Sequence, residues 1–187
     1  MKNVLLIHGF NGIPKIFDYF KKNLEILGFN VIMPCFPIRE EITIEGYFRI
    51  FDIYKEFINE ETIVVAHSIG NAMFIKYLSK NEFHVSTFIS LAGFYHPFYN
   101  QGKDILNEKV TVVSLSDREI DNAKKFINKR YSIYSNNDHI VPYEILKNFC
   151  KEINSLSLEI KDIGHMGKKS GIEELPQVID IIKSIDN

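Results

Sequence analysis

The sequence predicts an α/β fold in three layers, a mostly parallel sheet of about six strands with helices on both faces. Three observations carry this. Short unbroken apolar runs such as Val4–Ile7 read as strands buried on both faces. Between such runs lie apolar stripes at three- and four-residue spacing, the period of a helix with one buried side. Glycine and proline punctuate the junctions.

Val4–Ile7 stops at Gly9 and reads as a central parallel strand. Ile13, Ile16, Phe17, Phe20, Leu24 and Leu27 then mark a helix, with Pro14 as its first helical residue and Gly28 as its C-terminal cap. Phe29–Met33 is a strand stopped by Pro34, and Tyr47, Ile50, Phe51, Tyr54, Phe57 and Ile58 form the next helical stripe. Thr62–Ala66 is a β-branched strand, Ile69–Ser79 a helix and Val85–Leu91 a strand, followed by an irregular aromatic stretch, residues 93–100. Val110–Leu115 then reads as a strand and Asp121–Arg130 as a short helix. Tyr131–Ser135 is a strand, Pro142–Ile153 a helix, Leu156–Ile160 a strand and Leu175–Ile185 a closing helix. No repeat, low-complexity tract or linker divides the chain, so residues 1–187 read as a single domain.

With 187 residues, 45% of them hydrophobic, the chain can bury one substantial core. Lys and Arg number 22 against 24 Asp and Glu and are scattered, so no basic field is available to hold a nucleic acid. Cys35 and Cys150 are too few and too far apart for a disulfide scaffold or a zinc knuckle, which fits a reducing, cytoplasmic setting. The first apolar run ends at His8-Gly9, short of a signal-peptide core, and no run reaches the roughly 20 residues of a membrane span. No metal cluster, phosphate loop or dinucleotide fingerprint occurs, so no metal and no cofactor is expected.

The sharpest local feature is Ala66-His67-Ser68-Ile69-Gly70, a strand turning through a serine into a helix. It fits a nucleophile elbow, in which small residues flank the serine because strand and helix backbones nearly touch; Ala66 in place of glycine adds one methyl. Alone, the pentapeptide also fits a serine that caps a helix. Three further segments fit the chemistry. His8-Gly9-Phe10-Asn11-Gly12 follows the first strand, where the backbone N–H of Phe10 can face a developing oxyanion, with the N–H of Ile69 as second donor. His8 itself is expected to organise the turn. Asp138, in Ser135-Asn136-Asn137-Asp138-His139-Ile140-Val141-Pro142, sits where a triad acid belongs, with Asp117 as the competitor. His165 lies in a glycine-flanked loop after the last strand and follows both Ser68 and Asp138. His67, His84, His96 and His139 suit supporting or surface roles, with His67 expected to point away from the serine hydroxyl. The order Ser, Asp, His is the one such a sheet delivers.

These segments, with Ile7-His8-Gly9, Gly164-His165-Met166-Gly167 and the helix entry Gly171–Val178, resemble the α/β-hydrolase superfamily. Within it they look like the small serine hydrolases of the YdeN and retinoblastoma-binding protein nine family, and the resemblance spans essentially the whole chain. It implies a minimal α/β-hydrolase fold without a large cap, acting on esters or amides. Phe17 and Tyr19 stand where family members commonly carry a tryptophan, and Asn148-Phe149-Cys150-Lys151-Glu152 lacks the leucine of the L-x-C-x-E motif, so no pocket-protein partner is implied.

The expected activity is a carboxylesterase-like hydrolysis of a small ester or amide by Ser68, His165 and Asp138 through an acyl-enzyme. The alternatives are a non-catalytic binding module on the same scaffold and a lyase using the same triad. Phe36, Phe94, Tyr95 and Phe98 fall in loops at the carboxyl ends of strands and are expected to line the substrate pocket, with ordinary core packing as the other reading. Residues 92–130 must supply a crossover helix as well as any cover, which leaves no room for a cap domain and points to a shallow site covered by Phe94–Tyr99.

Overall fold

Unbroken runs of β-branched and aliphatic residues bury best where both faces of a strand are covered. A computed structural model, which describes residues 1–186, places them there. Val4 to Ile7 of β1 (Asn3–Ile7) and every residue of β3 (Ile63–His67) are buried. With β2 (Asn30–Ile32), β4 (Val85–Leu91), β5 (Ile127–Ser135) and β6 (Leu156–Ile160) they form a six-stranded sheet in the order β2-β1-β3-β4-β5-β6. All its pairings are parallel, with Leu5 beside Val64, Ala66 beside Ser90 and Ser135 beside Ile160. The chain runs outward from β1 to β2 and then returns past β1 to β3. The winding therefore reverses between β1 and β3, and the loops at their carboxyl ends part to leave a crevice.

The helices are α1 (Ile16–Ile26), α2 (Ile44–Ile53), α3 (Ile69–Asn81), α4 (Asp104–Val113), α5 (Asp117–Phe126), α6 (Tyr143–Glu152) and α7 (Pro176–Asp186). α1 packs on α7, while α3 touches α2, α4 and α5. Being surrounded, α3 is buried on nearly every side. Its Phe74 stacks on Phe88 of β4 at 5.9 Å between ring centroids, and its Tyr77 stacks on Phe51 of α2 at 4.8 Å. Burying one such ring is worth about 1.5–3 kcal/mol before conformational entropy is counted. No helix among the described residues is long and apolar enough to cross a membrane. Cys35 is exposed and Cys150 buried, and both are free thiols.

The sequence-derived elements need correction mainly between β4 and β5. Val110 to Val113, expected as a strand with Leu115, is the last turn of α4. β-Branched residues favour strands by propensity, but Leu106, Val110 and Val113 recur at helical spacing and bury one face of α4. α5 starts at Asp117, earlier than expected, behind a capping box: the Ser116 hydroxyl accepts from the Glu119 N–H and Glu119 accepts from the Ser116 N–H. Residues 127–130, expected as its end, open β5, where Ile127 is buried beside Val85. Pro14 precedes α1, which begins at Ile16. Gly28 does end that helix, at φ +87°, with the N–H of Phe29 bonded to Leu24 O and its own to Glu25 O. The stripe through Ile58 breaks after Ile53 into a single tight turn, residues 55–57.

Candidate active site

Between β3 and α3 the backbone must turn within one residue, and Ser68 takes the turn at φ +55° and ψ −127°, a conformation rare outside glycine. Neighbours hold it there. The Ser68 N–H donates to Leu91 O at 2.9 Å, and the buried Asn71 side chain donates to Ser68 O at 2.8 Å and Leu91 O at 3.1 Å. A Cβ on Gly70 would lie 2.7 Å from His8 O, and one on Gly9 would lie 2.8 Å from Ser68 Cβ. Only glycine fits at either position. Ala66, by contrast, sits within the sheet between Ile7 and Ser90 and is fully buried there.

The turn after β1 is organised by His8. Its Nδ1–H donates to Gly9 O at 2.9 Å, and its Nε2 accepts the Phe36 N–H at 2.9 Å. That pattern needs a neutral ring. Burial lowers the His8 pKa, the bond to Gly9 opposes this, and the Lys168 charge adds to the lowering. Phe10, next along, has no acceptor for its N–H among the described residues. Ile69 is the first residue of α3, where an N–H has no partner in a preceding turn. Phe10 lines the same cleft as Ser68 and Ile69 follows Ser68 in the chain, which makes both N–H groups candidate donors.

The third and fourth pieces come from the loops after β5 and β6. His165 Nε2 lies 3.0 Å from Ser68 Oγ, and His165 Nδ1 lies 2.8 Å from Asp138 Oδ2. Asp138 Oδ1 accepts the N–H groups of Ile140, at 2.8 Å, and Val141, at 3.0 Å. Burial alone would raise the Asp138 carboxyl, but the bond and charge of His165 and these two N–H groups outweigh it and hold the pKa low. An ionised Asp138 fixes the proton of His165 on Nδ1 and leaves Nε2 as acceptor for the serine hydroxyl. Asp117 is exposed at the start of α5 and has no contact with His165.

Sequence reasoning missed what positions His165. Asn137 Oδ1 accepts the Gly164 N–H at 2.8 Å, Asn136 Oδ1 the Asp162 N–H at 2.9 Å, and Ser135 Oγ the Ile163 N–H at 3.2 Å. The run Ser135-Asn136-Asn137 therefore laces the two loops together. Three consecutive side-chain acceptors ahead of the aspartate are the signal that could have revealed this. His67 supports the same loop, because its Nε2–H donates to His165 O at 2.8 Å. The His67 ring is buried, its Nδ1 has no partner among the described residues, and burial pushes its pKa down to about 3, so it is a neutral prop.

A cleft of about 630 Å³ opens over Ser68 and His165. Phe10 lines it, but Phe36, Phe94, Tyr95 and Phe98 do not. Phe36 stacks on Tyr47 at 4.6 Å, and Phe94 is buried edge-on against Phe98 at 5.0 Å. Tyr95 lies over His96 at 3.8 Å between ring centroids. Large rings gain more from close packing in the core than from a wet groove, so these four residues are structural. The apolar wall over the cleft comes instead from Ile105 and Leu106 in the first turn of α4, together with Ile140. No group of three or more His, Cys, Asp or Glu among the described residues could hold a metal ion.

A parallel sheet with a strained serine turn after a central strand, and with aspartate and histidine delivered by the strands beyond it, defines an α/β hydrolase. The chain belongs to the serine hydrolase family, whose model matches residues 49–184. Over 98% of its length it is 26% identical to "Putative hydrolase YdeN" of Bacillus subtilis (strain 168), covering 95% of that protein. The crystal structure of the ydeN gene product from B. subtilis superposes with a TM-score of 0.88, covering 100% of this chain and 99% of that one at 22% identity. A structure reported with carboxylesterases of the thaumarchaeon Nitrososphaera gargenis matches at TM-score 0.73 and 15% identity, over 98% of this chain and 89% of that one.

Proposed function

We propose that this protein is a carboxylesterase-like serine hydrolase that cleaves small esters or amides through Ser68, His165 and Asp138. The observation that carries the reading is the continuous hydrogen-bonded path from Ser68 Oγ through the His165 ring to Asp138, at 3.0 and 2.8 Å. As Ser68 Oγ attacks the substrate carbonyl, its proton passes to His165 Nε2, and Asp138 stabilises the imidazolium. The carbonyl oxygen becomes an oxyanion and is received by the N–H groups of Phe10 and Ile69. His165 returns the proton to the leaving group, the carbon–oxygen or carbon–nitrogen bond breaks, and an acyl-Ser68 ester remains. Water repeats the sequence and frees the acid. The fold likeness to a carboxylesterase structure and the two free cysteines, which suit a reducing cytoplasm, support the reading.

The test is labelling by a fluorophosphonate together with turnover of p-nitrophenyl butyrate. Wild type labels at Ser68, and Ser68→Ala stays folded while losing at least about a thousandfold in ester turnover. A folded wild type that neither labels nor turns over the ester is instead a binding module on this scaffold.

A further inference from the structure

We propose that the substrate carries a negative charge near its scissile bond, which four cations at the mouth of the cleft recognise. This rests on the hydrolase reading and deepens it. The protein as a whole has a formal net charge of −2, yet the residues lining the cleft include Arg39, Lys103, Lys168 and Lys169 against only Glu40 and Asp104. The sign of the charge is reversed in the cleft over Ser68.

The side chains of these cations make no ion pair among the described residues. A surface lysine or arginine costs nothing when solvated, but several unpaired ones converging on a groove with apolar walls focus the field into it. Two of them are tied to the catalytic turn. The Arg39 N–H donates to Phe10 O at 3.1 Å, so the backbone of the cation is fixed to the residue proposed as an oxyanion donor. Arg39 also sits at φ +52°, a left-handed conformation costly for a side chain of its size and of the kind that collects at ligand sites. Lys168 Nζ reaches to within 3.6 Å of where a Cβ on Gly12 would be, at the opposite end of the same turn. Lys103 stands across the cleft, at the start of α4.

The charge can belong to the acyl group or to the alcohol, and matched esters separate the two. On the acyl side, p-nitrophenyl hemisuccinate is compared with p-nitrophenyl butyrate. On the leaving-group side, para-carboxyphenyl butyrate is compared with phenyl butyrate. In at least one pair the charged ester should have a kcat/KM about tenfold above its neutral match at low salt. That ratio should shrink at high salt, where exposed charges are screened, and fall to one or below in an Arg39→Glu, Lys168→Glu double variant. Lys124→Glu, on the remote face of α5, should leave the ratio unchanged. A ratio of one or less in both pairs, with neutral esters still turned over, overturns the proposal and leaves the hydrolase reading intact. Loss of all turnover and labelling counts against the hydrolase reading alone. The cation site is then read by glutarate binding to Ser68→Ala: saturable, salt-sensitive stabilisation against thermal unfolding supports it, and no stabilisation overturns it.

Discussion

The floor of the cleft and its rim are built on opposite principles. On the floor, Ser68, His8, Gly9 and Gly70 are packed so closely that backbone atoms exclude even a methyl group, and buried hydrogen bonds brace the strained turn. On the rim, Arg39, Glu40, Asp104, Lys168 and Lys169 are exposed, and the cations among them make no ion pairs within the described residues. Strain survives only where the surroundings over-determine it, so the serine turn at positive φ sits in the rigid part. Recognition can reside in side chains that fold stability does not need.

The contrast breaks most visibly at the acid. Asp138→Asn should cost about 10⁴ in kcat, because His165 loses the partner that fixes its proton on Nδ1. Asp117→Asn, measured in the same ester assay, should stay within about twofold. A larger loss at Asp117 would mean that the hydrogen-bonded path is not the working one.

Next in size is the glycine test. Gly70→Ala forces a Cβ to 2.7 Å from a backbone oxygen, so urea unfolding should show a loss of about 3 kcal/mol or more. Lys169→Ala on the rim should change stability by less than about 0.5 kcal/mol.

His67 sharpens the comparison by pH. Its folded pKa of about 3 lies below the ordinary 6.5, so as pH falls through that window the unfolded chain takes up a proton that the folded one refuses. Stability present above pH 6.5 is therefore lost at up to about 1.4 kcal/mol per pH unit on the way down. His67→Gln, which keeps a donor for His165 O, should flatten this slope in unfolding curves taken from pH 4 to 7 while costing less than about tenfold in kcat. An unchanged slope would show that the ring is not the buried neutral prop described above. Smallest is Phe94→Leu, expected to cost about 1 kcal/mol of stability with KM unchanged, whereas Leu106→Ala should raise KM.

Much of the floor could be read from the chain because local rules act there. A buried parallel strand needs an unbroken apolar run, and a turn pressed against a helix needs small residues, so Val4–Ile7 and Ala66–Gly70 announce themselves. The rim could not be read, because its residues meet only after the sheet is assembled. The run from Val110 to Val113 has strand propensity yet finishes a helix, and nothing local tells Lys103 and Leu106 that they will line the same cleft as His165. The loop aromatics misled for a related reason: position after a strand places a residue near the crevice, but ring size sent Phe36 and Phe94 into the core.

The strand order also bears on when activity can first exist. The serine turn and its two backbone donors come from β1, β3 and the start of α3, whereas the base arrives on the loop after β6. A chain emerging from the ribosome carries the serine and both of these donors long before His165 has been made. On the proposed mechanism the nascent protein is chemically silent until its sixth strand has docked, and the appearance of ester turnover during synthesis or refolding would mark the closing of the sheet.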